Sequence, residues 1–358
     1  MSGTLDAASG AGPEAAMASG PAPTATPAAD LLGRRSPEDR RRARRRAALR
    51  KYGAVLLLLS PWIIGFVVFT LTPMIISLYW SFTHYDMASA PRWVGLDNYR
   101  FMFGIGKIHG IKAADPYFWT AVKNTLWIIV FGVPLRVLFA MVTAMLLTRP
   151  KRGTNGYRTL FFMPSMAPKV AAALVFVYLL NPTTGPVNQL LNMIPGVHAP
   201  LWFYDPATSK PSLLVLGLWG VGDAIVIYLA GLLSVPRELY EAISIEGANA
   251  WQRFRNVTLP LITPVIFFTI VMGVIDGFQY FDQAFVAGNA VSGGQTSVLG
   301  SPQNSLLFYG LYLYEWAFRN FAMGYASAMA WILFGATMTA TAVLLLTSRR
   351  WVHYGGGS

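Results

Sequence analysis

The chain has 358 residues, 54% of them hydrophobic and only 12% charged, with a formal net charge of +12 and no cysteine. The lack of Cys excludes disulfides and thiolate metal sites. Apolar content this high, with a positive mean hydropathy, points to a membrane protein rather than a soluble globular domain.

The first forty-odd residues are rich in Ala, Pro, Gly and Ser, and residues 34–51 (RRSPEDRRRARRRAALRK) are dense in Arg. Without hydrophobic periodicity, residues 1–50 are expected to be a disordered basic segment. An Arg run can be a nucleic-acid arm. Set against an apolar run it suits topology signalling and attraction to membrane lipid, and no nucleic-acid partner is expected. With a long polar leader, an apolar run longer than an h-region and no evident cleavage site, no signal peptide is expected.

Residues 52–85 carry no charged side chain, more than the ~20 residues that cross a bilayer. Further apolar runs cover 125–147, 159–180, 212–233, 261–285 and 323–347. Six transmembrane helices are therefore expected. Pro61, Pro73, Pro134, Pro164, Pro168 and Pro264 fall within them, which neighbouring helices can accommodate. The runs lack the alternation of a β-barrel, so the fold class is all-α and polytopic.

Basic residues set the expected orientation. They cluster before the first run, at Arg149, Lys151 and Arg152, at Arg237, Arg253 and Arg255, and at Arg349 and Arg350. Residues 181–211 contain Lys210 alone. The positive-inside rule then puts both termini and the loop after the fourth run in the cytoplasm. Residues 84–119 hold Arg92, Arg100, Lys107 and Lys112 and fit the rule less well.

The most informative polar interruption is 241–260, EAISIEGANAWQRFRNVTLP. Pro236 suits the first turn of a short helix, on which Leu239, Ala242 and Ile243 share an apolar face. Gly247 falls where that helix should end, at a position needing φ > 0. Asn249 can cap a second helix with Gln252 as reciprocal partner, carrying Trp251 and Phe254 before Leu259-Pro260. The segment predicts a helix–turn–helix knob that docks into something.

This segment resembles the EAA loop of ABC-transporter permeases. Glu241-Ala242, Gly247, Val257 and Leu259-Pro260 match at the expected spacing, with Ile243 in place of a second Ala and Glu246 in place of Asp. PRWVGLDNYRFMF (91–103), YRTLFFMPS (157–165), LLNPTTGPVNQLL (179–191) and MGYASAMAW (323–331) extend the likeness to about 300 residues, nearest to carbohydrate-uptake permeases of the first-subunit type.

The resemblance implies a type I ABC importer permease fold with a cytoplasmic coupling helix, in a bacterial cell membrane. It divides the chain into the N-terminal segment, the first helix and outward loop (51–117), a permease core (118–350) with the coupling loop (236–260), and a tail (351–358). It also implies a second permease subunit, two ATPase subunits and an extracellular solute-binding protein as partners. ATP would be used by the partner ATPase, with no cofactor bound here. Leu239, Ile243, Trp251 and Phe254 would form the docking face, Glu241 and Ala242 would sit beside it, and Pro260 would close the motif. The substrate implied is a sugar, oligosaccharide or polyol. An anionic polyol such as glycerol-3-phosphate, an oligopeptide, and a secondary carrier without an ATPase are the competing readings.

No phosphate loop of the G-x-x-x-x-G-K-[ST] kind, no H-E-x-x-H and no G-x-S-x-G occurs, so the chain is expected to be a transport subunit rather than an enzyme. Gly-rich 292–301 (SGGQTSVLGS) reads as a flexible loop. Arg136, Lys169, Asp223 and Asp276 lie inside apolar runs, where a charge is costly unless it faces protein or water. Two readings stand for them. Asp223, Asp276 and Gln279 can line a polar cavity, with Arg136 or Lys169 binding hydroxyls or an anion. Alternatively the charges pair between helices, as Arg136 with Asp223. Phe278, Tyr280, Phe281 and Phe285 are either sugar-stacking faces or interfacial anchors.

Overall fold

The computed structural model describes residues 52–53, 55–105, 107–108, 111–112, 114–148, 153–293 and 300–352. The expectations for 1–50, for the basic residues 149–152, for most of the Gly-rich loop and for most of the tail lie outside these. The chain divides into two units, one ending at Thr70 and the other beginning at Leu71. In the first, the described residues are helical and their apolar side chains are exposed, as lipid-facing helix requires.

The helices in chain order are α1 (Val55–Ser81), whose residues 71–81 belong to the second unit, α2 (Asp97–Met102), α3 (Phe118–Leu147), α4 (Thr154–Met166), α5 (Lys169–Leu179), α6 (Pro186–Asn192), α7 (Pro206–Trp219), α8 (Gly222–Leu233), α9 (Arg237–Ile245), α10 (Ala250–Phe278), α11 (Asp282–Val291), α12 (Tyr309–Tyr314) and α13 (Met323–Ser348). Two small antiparallel hairpins, β1 (Thr83–His84) with β2 (Arg92–Trp93) and β3 (Lys107–Ile108) with β4 (Ile111–Lys112), lie between α1 and α3.

Among the described residues four helices, α1, α3, α10 and α13, are long and apolar enough to cross a membrane, and the number is six if each of two bent pairs is one span. The bends correct the continuous runs read from the sequence. The third run breaks at Ala167-Pro168, and α4 and α5 meet at 98°. Ala167 is extended (ψ 136°) because the ring of the following proline disfavours the helical region. The fourth begins at Pro206 rather than 212, where Asp205 accepts from the Ala207 N–H at 2.9 Å, and bends by 51° between α7 and α8. The fifth does not run to 285. It stops at Phe278, and α11 starts at Asp282.

Packing explains how α3, α8 and α10 come together. Ala140 and Ala144 on α3 are fully buried in one cluster with Ile225 and Tyr228 of α8 and Ile262 of α10. Gly273 and Gly277 face Val133 and Ile129 of α3, and a Cβ on Gly277 would stand 2.6 Å from Ile129 Cγ1. Small residues spaced by four let two backbones approach closely in an apolar medium. A second cluster joins Met102, Phe118, Leu311, Tyr312, Tyr325 and Met329.

Candidate functional site

The close contact of these three helices puts their charged residues in reach of each other. Arg136 lies on α3, Asp223 in the first turn of α8 and Asp276 near the end of α10. One guanidinium nitrogen donates to both Asp223 oxygens at 2.9 and 3.1 Å, and another donates to Asp276 at 3.3 Å. The Arg136–Asp223 ion pair is thus formed, with Asp276 as a third member. The paired reading and the cavity reading turn out to be compatible, because all three also line a cavity of about 280 Å³. Lys169, Gln279 and Phe281 line the same space. No carboxylate lies within ion-pair distance of Lys169 among the described residues.

The aromatic group divides. Tyr280 and Phe281 border the cavity, while Phe285 is outside it, stacked on Phe281 with ring centroids 5.4 Å apart. The Tyr280 hydroxyl is buried without a hydrogen-bond partner among the described residues. Residues 279–281 lie in the break between α10 and α11 and line the cavity.

The polar interruption forms a tight elbow. Helix α9 ends in a Schellman motif, in which the Gly247 N–H donates to Ser244 C=O (3.1 Å) and the Ala248 N–H to Ile243 C=O (3.2 Å). Gly247 has φ +80°, as this motif requires at its left-handed residue. Asn249 then caps α10. Its side chain accepts from the Gln252 N–H and its own N–H donates to the Gln252 side chain, at 2.9 and 2.7 Å. Three details differ from the sequence reading. Pro236 is the N-cap, with ψ 134°, and the helix starts at Arg237. The second helix is not a separate piece but the start of α10. It passes through a wide turn at Phe254–Thr258 just before Pro260, where a register shift accommodates the missing proline N–H.

The exposed face also differs. Leu239, Ala242 and Trp251 are exposed, but Ile243 and Phe254 are half-buried. Ile245, absent from the expected face, is 88% exposed. Glu241 is exposed and Pro260 half-buried. Tyr240 turns inward, its hydroxyl 2.9 Å from the Thr258 hydroxyl, and ties the elbow to α10. Tyr240 had no signal in the sequence beyond being aromatic beside the motif.

Bilayer-length helices, a charged groove among them and an exposed amphipathic elbow between two of them define a membrane transport subunit. The family described as "Binding-protein-dependent transport system inner membrane component" matches residues 136–351, and the chain belongs to that family. Among its relatives, the probable ABC transporter permease protein YesP of Bacillus subtilis is 40% identical over 83% of this chain and 90% of its own length. The arabinooligosaccharides transport system permease protein AraP of Halalkalibacterium halodurans is 32% identical over 77% of this chain and 82% of its own. The fold is similar to that of a solved bacterial ABC transporter involved in import of the acidic polysaccharide alginate. There the TM-score is 0.69 and identity 23%, covering 86% of this chain and 99% of the other.

Proposed function

We propose that this chain is one permease subunit of an ATP-driven, binding-protein-dependent importer that brings a carbohydrate into a bacterial cell. The observation that carries this reading is the elbow. Its Gly247 turn and Asn249 cap present Leu239, Ile245 and Trp251 to the outside, an arrangement suited to a groove on a separate ATPase. Closure of two ATPase subunits on ATP would move the elbow, and α9 and α10 would carry the movement to the groove at Arg136. A second permease would complete the pathway, and a solute-binding protein would deliver the sugar. Both termini and the elbow would then face the cytoplasm, in keeping with the basic residues around them. The names of relatives that carry arabinooligosaccharides, lactose or starch products support a carbohydrate.

Purification of the tagged chain from host membranes in mild detergent tests the reading. Recovery of an ATPase and a second permease, with sugar uptake restored in vesicles, is expected. Recovery of the chain alone, with transport that needs no ATP, would replace it with a secondary carrier. One observation favours an acidic sugar or anionic polyol within the same architecture: Lys169 lines the cavity, which Asp282 also borders, with no carboxylate within ion-pair distance among the described residues. Competition of uptake by uronic-acid oligomers, and not by neutral ones, would establish it.

A further inference from the structure

A second cavity, of about 180 Å³, lies on the other side of Arg136. The two cavities share Val133, Arg136, Asp223, Gly273 and Asp276. Their remaining walls separate in order along three helices. On α3 the first cavity extends back to Ile128, and the second forward to Val137. From Asp223, the first extends back through Gly220 and Trp219, the second on to Ile227 and Tyr228. From Asp276, the first runs toward Gln279 and Phe281, the second back to Thr269 and Phe268. The second cavity therefore lies toward the ends of α8 and α10 that join the elbow, and the first lies away from it. The ion triad is the partition between them.

We propose that Arg136, Asp223 and Asp276 form an ionic gate between two chambers of the pathway, and that each transport cycle parts the guanidinium from at least one carboxylate. This rests on the reading of the groove as the substrate pathway. The geometry suits a gate that must open repeatedly. The side chains of Arg136, Asp223 and Asp276 retain 33%, 56% and 49% of their exposure, so each pair is held only weakly while it faces water. A guanidinium shared by three helices makes the partition sensitive to their spacing, which is what α9 and α10 would change when the elbow moves. Sugar hydroxyls can replace a carboxylate at the guanidinium, and the guanidinium at a carboxylate, so a polyol can cross without leaving a charge bare.

The chain has no native cysteine, so single introduced thiols report each chamber separately. Ser165→Cys marks the first and Ile227→Cys the second. The assembled transporter, in sealed vesicles without ATP, would be treated with a charged, membrane-impermeant thiol reagent on the side opposite the elbow. Labelling of this chain would be read by mass spectrometry. Ser165→Cys should react, and Ile227→Cys should react slowly. Adding Arg136→Gln should speed labelling of Ile227→Cys about tenfold, a factor fitting the loss of weak ion pairs. Asp276→Asn keeps the Arg136–Asp223 pair and should give a smaller increase, so it carries the test if Arg136→Gln does not assemble. Equal labelling of Ile227→Cys with and without the triad would overturn the gate. Sugar uptake by the unmodified assembly is measured alongside. Its absence would count against the pathway reading, whereas normal uptake with unchanged labelling would count against the gate alone.

Discussion

At Asp115 four donors converge on a carboxylate that is 4% exposed. The N–H groups of Tyr117 and Phe118 reach one oxygen at 3.0 Å each, and the hydroxyls of Tyr312 and Tyr325 close on the two oxygens. Burial, and then the bond to Asp115, pushes the Tyr312 phenol well above its ordinary range, so it remains a donor at every physiological pH. Asp115 thus ties the start of α3 to α12 and α13. Asp115→Ala would strand two phenols and two N–H groups, each at ~1–3 kcal/mol if left unpaired. We expect a marked fall in the thermal midpoint of the detergent-purified complex, and a smaller one for Asp115→Asn. A midpoint unchanged in Asp115→Ala would remove the carboxylate from the scaffold. At Gly247 the φ of +80° sets a second expectation. Gly247→Ala should strain the turn by ~1–2 kcal/mol and lower uptake in part. Gly247→Pro cannot adopt that φ and lacks the N–H that Ser244 accepts, so uptake should be lost while the chain still inserts. Normal uptake by Gly247→Pro would show that the turn geometry is dispensable.

Between elements, the decisive contact is α3 on α10 at Gly277. Gly277→Leu must push Ile129 aside, an overpacking worth ~1–3 kcal/mol, and would move Asp276 off Arg136. Gly335 on α13 has open space around its missing Cβ, so Gly335→Ala should instead stabilise its helix by ~0.5–1 kcal/mol. Thermal unfolding of both variants checks the pair, and a Gly277→Leu protein as stable as Gly335→Ala would refute the close approach. The same contrast explains what the sequence could and could not reveal. The Asn249–Gln252 box and the Gly247 turn were legible because every partner lies within a few residues. Asp115 was not legible as a site, since its tyrosines lie 197 and 210 residues away. The pairing of Arg136 with Asp223 was one of two open readings, and Asp276 joined it across 140 residues. Apolar runs record how much chain is in the membrane but not where it bends, so the 98° break at Pro168 and the early end of α10 were missed.

For the whole molecule, two exposed surfaces differ in their chemistry. The groove at the triad is charged at membrane depth, where an uncovered Asp or Arg is expensive, so another polypeptide or water must face it. The elbow is small and amphipathic, with Ile245 and Trp251 as its largest exposed apolar groups. Interfaces concentrate their free energy in a few such anchors, and loss of one commonly costs ~2 kcal/mol or more, roughly thirtyfold in affinity. If an ATPase docks at the elbow as proposed, Trp251→Ala and Ile245→Asp should therefore reduce its recovery with this chain by that order. Glu241→Lys should weaken it as well by reversing a charge at the same face. None of these positions lies near Arg136 or lines the groove, so recovery of a second permease should not change. Quantitative mass spectrometry of the purified complexes measures both partners in one experiment. Loss of both together would mean that the elbow supports assembly in general. Loss of neither would place the ATPase on another surface. Selective loss of the ATPase is the outcome required if a rigid elbow transmits its movement to an ionic partition deeper in the membrane.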